Sequence, residues 1–273
     1  MSGTDTREAD MLLENKHAVV YGGAGSVGGA VARAFAREGA QVFLAGRTLP
    51  ALERVAAEIA DAGGRAEAAE VDALDERAVD EHADTVVVSA GGIDVSFSAI
   101  GHGDVHGAPL LEMPFEDFAR PIWTAVRAQF LTARAAARHM VERGSGVIMA
   151  ITATTARMSI PHIGGTGVAF DAIESLCRQW ACELGPSGVR VVWLQTTGIG
   201  EALHGDVQPD YGTRAGQGLT RDELVEWLKG RTMLNRLTSL ADVGAAAAFL
   251  ASDGAAAITA SGINLTSGSV PTR

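Results

Sequence analysis

The feature that most constrains this chain is a glycine-rich turn set between an apolar run and a helical repeat. Residues 18–21, AVVY, are typical of a short buried strand, and residues 29–38, GAVARAFARE, have helical spacing. The turn between them contains GAGSVG at residues 23–28, which is a G-x-G-x-x-G motif. Glycines at this spacing allow a tight turn and bring a helix N-terminus close to a pyrophosphate. The pattern predicts a dinucleotide-binding turn, and an ordinary tight turn is the alternative.

The bulk composition narrows both the fold and the partners. With 273 residues, 47% of them hydrophobic, the chain can form one α/β domain with a large core. Its net charge of −11 argues against nucleic acid and anionic membranes as partners, because both require a basic face. No apolar run reaches the ~18 residues of a membrane span, and the polar N-terminus lacks an apolar signal core. We therefore expect a cytoplasmic protein with a small-molecule substrate.

Apolar strands alternate with helical repeats along the chain. Further strands are predicted at residues 41–45, 66–71, 93–100, 147–151, 188–194 and 262–265, and further helices at 49–62, 75–90, 115–143, 165–184 and 241–251. This alternation predicts a single-domain, doubly wound parallel sheet of the α/β class, with helices on both faces, over residues 15–273. Residues 1–14 are predicted to be a flexible arm, and residues 195–235 a lid over the substrate.

The residues after the second and third strands indicate which cofactor binds. In this fold an acidic residue after the second strand would bind the adenosine ribose, and here that place is Gly46, followed by Arg47. An arginine pairs with a 2′-phosphate, so NADP(H) is favoured over NAD(H), unless Arg47 is only a solvated surface charge. Asp72, after the third strand, can accept a hydrogen bond from an adenine amino group. The expected cofactor contacts are Gly22, Gly23, Gly25, Ser26, Val27, Gly28, Arg47, Thr48, Asp72, Ala73, Ala99 and Thr152.

The loop at residues 101–107, GHGDVHG, concentrates titratable side chains. It carries His102, Asp104 and His106, which suit either a metal cluster or an acid/base group. Because the loop is rich in glycine, we favour a third interpretation, in which the polar side chains lie in water. No metal site is therefore expected.

Several stretches resemble the short-chain dehydrogenase/reductase family, from residue 13 to residue 268. They are LENKHAVVYGGAGSVGG, VDALDE, GGIDVSFSAIG, QFLTARAAARHM, CELGPSGVRVV and DVGAAAAFLASDGAAAITASGINLTSG. The spacing of ITATTARMSIP before GVAFDAIESL is similar to the enoyl-carrier-protein-reductase branch. The resemblance implies a Rossmann-like sheet of about seven strands, NAD(P)(H) and hydride transfer. It also implies a homo-oligomer, a tetramer or dimer built through the two long helices.

The chain departs from this family at the active site. The family's Asn, Ser, Tyr and Lys fall at Ala125, Ala153, Thr166 and Phe170, with Ile163 as the tyrosine position under the alternative spacing. Misalignment does not explain the loss, since the chain has only two tyrosines, Tyr21 and Tyr211, and neither has a lysine four or seven residues later. The usual proton donor is therefore expected to be absent.

Two redox routes remain without the tyrosine and lysine. Conjugate reduction of an enone or enoyl thioester sends hydride to carbon, so it needs mainly oxyanion stabilisation and placement. Neutral donors for that purpose are Thr152, Thr154, Thr155 and Thr166. Alternatively, a residue of the predicted lid, Tyr211 or His204, acts as the acid, and His162 lies before the helix on the expected nicotinamide side. The catalytic candidates are Thr154, His162, Thr166 and Tyr211.

Two functions compete on these observations. The retained cofactor framework favours an atypical NADP(H)-linked oxidoreductase acting on a small apolar carbonyl or enoyl substrate. The replaced tetrad favours a cofactor-binding protein without turnover, or a fold reused for cyclisation, dehydration or partner binding. In the first case we expect an apolar pocket near Trp123, Phe170 and either Trp193 or Trp227.

Overall fold

The computed structural model describes residues 11–203, 207–208 and 219–271, so Tyr211 and His204 lie outside the described residues. The strands are β1 His17–Tyr21, β2 Gln41–Gly46, β3 Arg65–Glu70, β4 Val95–Ser98, β5 Gly146–Ala153, β6 Val189–Thr196, β7 Val207–Gln208, β8 Leu219–Thr220 and β9 Ser261–Leu265. The α-helices are α1 Ser26–Arg37, α2 Leu49–Asp61, α3 Glu76–Ala90, α4 Phe115–Arg143, α5 Thr166–Leu184, α6 Arg221–Lys229 and α7 Leu240–Ala251.

Seven of these strands form one parallel sheet, which confirms the predicted doubly wound α/β fold. Their order is β3-β2-β1-β4-β5-β6-β9, so the chain winds outward in both directions from β1. The strand order reverses between β1 and β4. In open parallel sheets ligands bind at such a reversal, beyond the carboxyl ends of the strands. The site is therefore sought at that edge.

The sheet carries a separate apolar core on each face. On one face α3, α4 and α5 cover side chains such as Val19 and Tyr21, and on the other α1, α2 and α7 cover Ala18 and Val20. Since both faces are buried, the inner strands are almost uniformly apolar rather than alternating, whereas the edge strands β3 and β9 are partly exposed. This explains why short apolar runs located the strands in the sequence.

Small differences from the predicted boundaries have local causes. Helix α1 begins at Ser26, three residues before the predicted repeat, because the end of the glycine motif is already helical. Residues 11–14, which the sequence assigns to the arm, form a turn in which Leu13 is fully buried and donates its N–H to Glu38 O at 2.8 Å. Across the described ranges, no helix combines the length and apolarity needed to cross a bilayer.

Candidate active site

The glycine turn brings three backbone segments into contact that side chains would separate. Gly22 has φ +77°, and a Cβ there would collide with the carbonyl group of Ala99 at the end of β4. A Cβ on Gly28 would in turn collide with the carbonyl oxygen of Gly22. Both glycines are therefore required by the close approach of α1, the turn and β4.

The turn leaves the N-terminus of α1 open toward a cavity of about 250 Å³. Gly25 is the N-cap residue, and within the described residues no side chain caps the helix there. The N–H groups of a first helical turn and the helix dipole favour an anion at such a point. The cavity is lined by seven predicted cofactor contacts, namely Gly22, Gly25, Arg47, Thr48, Asp72, Ala73 and Ala99.

Two charged side chains lie on the wall of this cavity, which we call the cofactor cavity after the predicted contacts that line it. Arg47 is exposed and makes no hydrogen bond or ion pair within the part of the chain that is described. Asp72 accepts the N–H of Leu74 at 2.9 Å, which holds its carboxylate at the cavity wall. The cavity thus offers one unpaired cation and one oriented acceptor.

The other predicted cofactor residues take different places. Gly23, Val27 and Gly28 shape the turn or the first turn of α1, as does Ser26. Thr152 lines neither the cofactor cavity nor, as shown below, the cavity under α6, so its contact with the cofactor stays a prediction. It is buried in β5, and its hydroxyl donates to Glu174 Oε1 at 3.2 Å.

Glu174 is a fully buried carboxylate that the sequence does not identify as important. Gln195 also donates to its Oε1 at 3.1 Å, and Arg157 donates to its Oε2 through Nε at 3.0 Å and through a terminal nitrogen at 2.6 Å. These bonds join α5 to the carboxyl ends of β5 and β6. The group therefore fixes the geometry of the neighbouring site, since a buried charge keeps its place only while it is paired.

A second cavity, of about 160 Å³, lies beyond the carboxyl ends of β5 and β6 and under α6. It is lined mainly by apolar side chains, with Thr154 and Thr155 on the strand side and Arg231 at the α6 end. The guanidinium of Arg231 stacks over Trp227, 4.8 Å from the ring centroid. We call it the substrate cavity.

Of the four aromatic residues expected near the pocket, only Trp227 lines the substrate cavity. Trp123 lies on the outer face of α4 and is 70% exposed. Trp193 is buried in the sheet core, and Phe170 packs against that core and the ring of His102. Periodicity locates such residues on an element, but not on the face that meets the cavity.

The loop at residues 101–107 runs from the cofactor cavity, which Gly101 lines, to the substrate cavity, which His106 lines. Two contacts hold it against the start of α5. Gly107 donates its N–H to His162 O at 2.8 Å, and the carbonyl oxygen of Val105 lies where a Cβ on Gly164 would be, at 2.6 Å. The loop is therefore part of the site and is not simply solvated.

A hydrogen-bonded chain joins this loop to Thr166, the residue predicted to lie at the family's tyrosine position. Thr166, buried at the first position of α5, donates its hydroxyl to Asp104 Oδ1 at 2.9 Å. Its Oγ1 also lies 2.9 Å from His106 Nε2. Nearby, the ring of His102 meets Phe170 edge-on at 5.3 Å. The favoured interpretation of these histidines as solvated is wrong, since both are half-buried.

Burial sets the protonation of the two loop histidines. It lowers the pKa of His106 below its usual 6.5, and the charge of Asp104 offsets only part of this effect. Burial likewise lowers the pKa of His102, and the charge of Asp104 again acts in the opposite direction. In the described part of the chain, no three metal-ligating side chains are grouped so that they could hold an ion. The cluster therefore suits proton transfer better than metal binding.

The predicted catalytic residues separate into three groups. Thr154 lines the substrate cavity, and Thr166 belongs to the chain behind it. His162 has φ +59°, and its buried Nδ1 makes no hydrogen bond within the described residues. It lines neither cavity. The other tetrad positions are apolar, with Ala125 buried and Ala153 on the cavity wall.

The chain matches proteins of one family over most of its length. A family model described as "Enoyl-(Acyl carrier protein) reductase" matches residues 22–269. The chain is 30% identical over 260 residues to the uncharacterized oxidoreductase YxbG of Bacillus subtilis (strain 168), covering 94% of this chain and 91% of that protein. It is 29% identical over 241 residues to the gluconate 5-dehydrogenase of Gluconobacter oxydans (strain 621H), covering 88% and 89%.

Solved structures agree with this relationship. A short-chain type dehydrogenase/reductase from Mycobacterium marinum superposes with a TM-score of 0.82 at 28% identity, covering 96% of this chain and 98% of that one. A gluconate 5-dehydrogenase from Burkholderia cenocepacia J2315, in complex with NADP and tartrate, has the same fold at 22% identity, with a TM-score of 0.82 over 94% and 96% of the chains. Fold, cavities and sequence together establish that this chain belongs to the short-chain dehydrogenase/reductase family of oxidoreductases.

Proposed function

We propose that this protein is an atypical NADP(H)-linked oxidoreductase that interconverts a small apolar carbonyl or enoyl compound and its reduced form. The observation that carries the proposal is the pairing of two cavities along one edge of the sheet. One cavity lies at the N-terminus of α1 and carries an arginine with no ion pair among the described residues, and the other is small and mainly apolar. Related proteins include a gluconate 5-dehydrogenase seen with NADP and a xylitol dehydrogenase seen with NAD+.

The residues of the cofactor cavity fit a dinucleotide. The collision that a Cβ would cause at Gly22 or Gly28 leaves only backbone where a pyrophosphate would approach α1. Arg47 would pair with a 2′-phosphate, and Asp72 would face the adenine. A bound nicotinamide supplies or accepts a hydride. The chain's own residues must then orient the substrate and handle the proton.

The substrate cavity limits what can react. Its volume of about 160 Å³ admits only a small molecule, and its apolar wall excludes water from the reacting centre. Thr154 offers a neutral hydroxyl there for a developing oxyanion. Tyr211 remains a candidate acid from the predicted lid, and His162 remains a candidate at the start of α5. Replacing Tyr211 by Phe tests the lid acid, which is rejected if the rate is unchanged.

The cofactor preference is tested by titrating NADPH and NADH into the protein and following nucleotide fluorescence. We expect NADPH to bind more tightly, and Arg47→Glu to weaken NADPH roughly 10- to 100-fold while leaving NADH within about 3-fold. Arg54→Glu is the matched control, because Arg54 is an exposed arginine on α2 that lies outside the cavity. Equal losses for both nucleotides, or for both variants, would contradict the 2′-phosphate contact.

Turnover is tested by adding enones, enoyl thioesters and small ketones to the NADPH complex and following the loss of nicotinamide absorbance. Oxidation of NADPH by any of these acceptors supports the proposed function. Tight NADPH binding without oxidation on the whole panel would instead favour a cofactor-binding protein without turnover, and absence of nucleotide binding would reject both.

A further inference from the structure

We propose that His106 is the catalytic acid/base of this protein and that Thr166 and Asp104 are its positioning residues. The proposal rests on the proposed oxidoreductase function, because it assigns the proton transfer of that reaction. It places this role in a loop that lies 60 residues before the family's tyrosine position in the sequence.

The three residues occupy the place where the family's proton donor would stand. Thr166 is at the tyrosine position, and it is buried at the start of α5. His106 fills the space in front of it and lines the substrate cavity beside Ala153 and Thr154. The lysine position, Phe170, is covered by the ring of His102, so that wall carries no cation.

The direction of the hydrogen bonds selects one tautomer of His106. A carboxylate only accepts, so Thr166 donates its single hydroxyl hydrogen to Asp104. The hydroxyl oxygen must then accept from His106, whose Nε2 carries the hydrogen. In the neutral ring, Nδ1 is therefore the basic nitrogen. A carboxylate thus orients the histidine through an intermediate hydroxyl group.

The proton then moves between Nδ1 and the substrate oxygen. In reduction, a bound nicotinamide would supply a hydride to the carbonyl carbon, and the C=O π electrons would become a lone pair on oxygen. That oxygen takes the proton from Nδ1 of the imidazolium, which becomes the neutral Nε2–H ring. In oxidation, neutral Nδ1 removes the hydroxyl proton, the O–H electrons form the π bond of C=O, and the hydride lost from carbon would pass to a bound oxidised nicotinamide.

The charges around His106 set the direction of the pH dependence. Asp104 on the same loop favours the imidazolium, whereas His102 on that loop, His162 before α5 and Arg231 across the cavity do not. Burial lowers the pKa of His106 below its usual 6.5, so the neutral ring is favoured relative to an exposed histidine. Reduction should therefore slow as pH rises through that pKa, and oxidation should speed up over the same range and level off above it.

The hydrogen-bonded chain can be tested without cofactor or substrate. In protein labelled with ¹⁵N-histidine, the imidazole shifts of His106, assigned by their loss in His106→Asn, should report the Nε2–H tautomer. Thr166→Val should abolish this preference, and Thr166→Ser should restore it, because serine keeps the hydroxyl. An Nδ1–H tautomer in the parent protein, or an unchanged tautomer in Thr166→Val, overturns the proposal.

The catalytic role is tested on a substrate identified by the acceptor panel. His106→Asn should lower kcat by roughly 10²- to 10⁴-fold with NADPH affinity unchanged. Thr166→Val and Asp104→Asn should lower kcat and shift the pH profile, with Thr166→Ser recovering both. His139→Asn, on α4 and outside both cavities, is the matched control for a histidine-to-asparagine change and should retain kcat within about 3-fold.

The two proposals fail in different ways. If NADPH is oxidised normally by His106→Asn, the assignment of His106 is wrong and the proposed function stands. If none of the acceptors on the panel is reduced by NADPH in the presence of the parent protein, the proposed function fails. The catalytic assignment of His106 then fails too, whichever tautomer is observed.

Discussion

At the scale of single residues, burial rather than residue type decides which titratable groups can take part in proton transfer. Tyr21 is one of two tyrosines in the chain, yet it is enclosed in the core, where burial and Asp80 raise the pKa of its phenol. Its neighbour His82 meets it edge-on at 6.0 Å. Among the described residues, the groups at the substrate cavity come from the loop at residues 101–107 instead.

His82 should make stability depend on pH. Burial lowers its pKa to about 4 from an ordinary 6.5, so the neutral ring stabilises the fold fully above pH 6.5. That stability is lost as pH falls toward 4, and we expect a loss of about 2 kcal/mol between pH 7 and pH 5. Urea unfolding of His82→Leu should show a pH-dependent loss smaller by about that amount.

His139→Gln is the matched control, because His139 lies on the surface of α4 beside Asp84. It should keep the pH dependence of the parent protein. Equal pH dependence in His82→Leu and the parent would show that His82 does not resist protonation.

Gly28→Ala tests the close approach at the glycine turn. The added Cβ would overlap the carbonyl oxygen of Gly22, so the turn must move. We expect a loss of about 2–3 kcal/mol in the free energy of unfolding and at least a tenfold loss in NADPH affinity. Gly185→Ala is the control, since nothing lies within 4 Å of its added Cβ and its backbone is helical. If Gly28→Ala binds the nucleotide as tightly as the parent protein, the claim that a Cβ at this position displaces the turn is wrong.

At the scale of elements, α6 covers the substrate cavity and is held there by few buried contacts. Its buried side chain is Leu224, and its N-terminus is held by a capping box between Thr220 and Glu223. A second capping box, between Ser239 and Asp242, begins α7, which packs in the core against α1. Equivalent local bonds therefore support a peripheral helix in one case and a core helix in the other.

Thr220→Ala should loosen α6 selectively. Loss of the cap costs about 1 kcal/mol of helix stability, which we expect as faster hydrogen exchange in residues 223–229 and a raised KM with little change in kcat. Ser239→Ala should instead lower the global free energy of unfolding by about 1 kcal/mol, with exchange in α6 unchanged. The covering role of α6 would be refuted if Thr220→Ala left KM unaltered while exchange increased.

At the scale of the whole molecule, the outer face of α4 and α5 carries apolar side chains without cover in the single chain. Trp123 is 70% exposed, and Phe130, about two helical turns later on the same face of α4, is 40% exposed. Phe130 also stacks with Trp180 of α5, at 5.5 Å between ring centroids. Family resemblance predicts assembly through these two helices, and an apolar face of this kind is what such assembly buries.

Trp123→Glu should therefore dissociate a homo-oligomer. Burying an unpaired carboxylate in an apolar interface is unfavourable, because the charge loses its hydration. Sedimentation should therefore show a smaller species than the parent at equal concentration. Val88→Glu is the control, because Val88 is 87% exposed on α3, away from this face. A parent protein that sediments as a monomer would refute the assembly itself.

The sequence by itself determined most of the elements and the position of the glycine turn. Apolar runs and helical repeats are local, and in a sheet buried on both faces they mark each strand directly. The glycine spacing located the turn at Gly22 and Gly28 for the same reason, since it reflects contacts between adjacent segments. The absence of a tyrosine–lysine pair was likewise readable, because it needs only counting and spacing.

Only the tertiary structure decided which residues lie together around the predicted tyrosine position. Thr166 and His106 are 60 residues apart, and nothing local in either segment predicts their hydrogen bond. The meeting depends on the crossover that brings the loop after β4 over the start of α5, and on Gly164, which lets Val105 approach. Likewise, the sequence places Thr152 just after the fifth strand, whereas β5 includes it and packing directs its hydroxyl to the buried Glu174. Local patterns fix an element, whereas a side chain's partners depend on which distant segment packs against it.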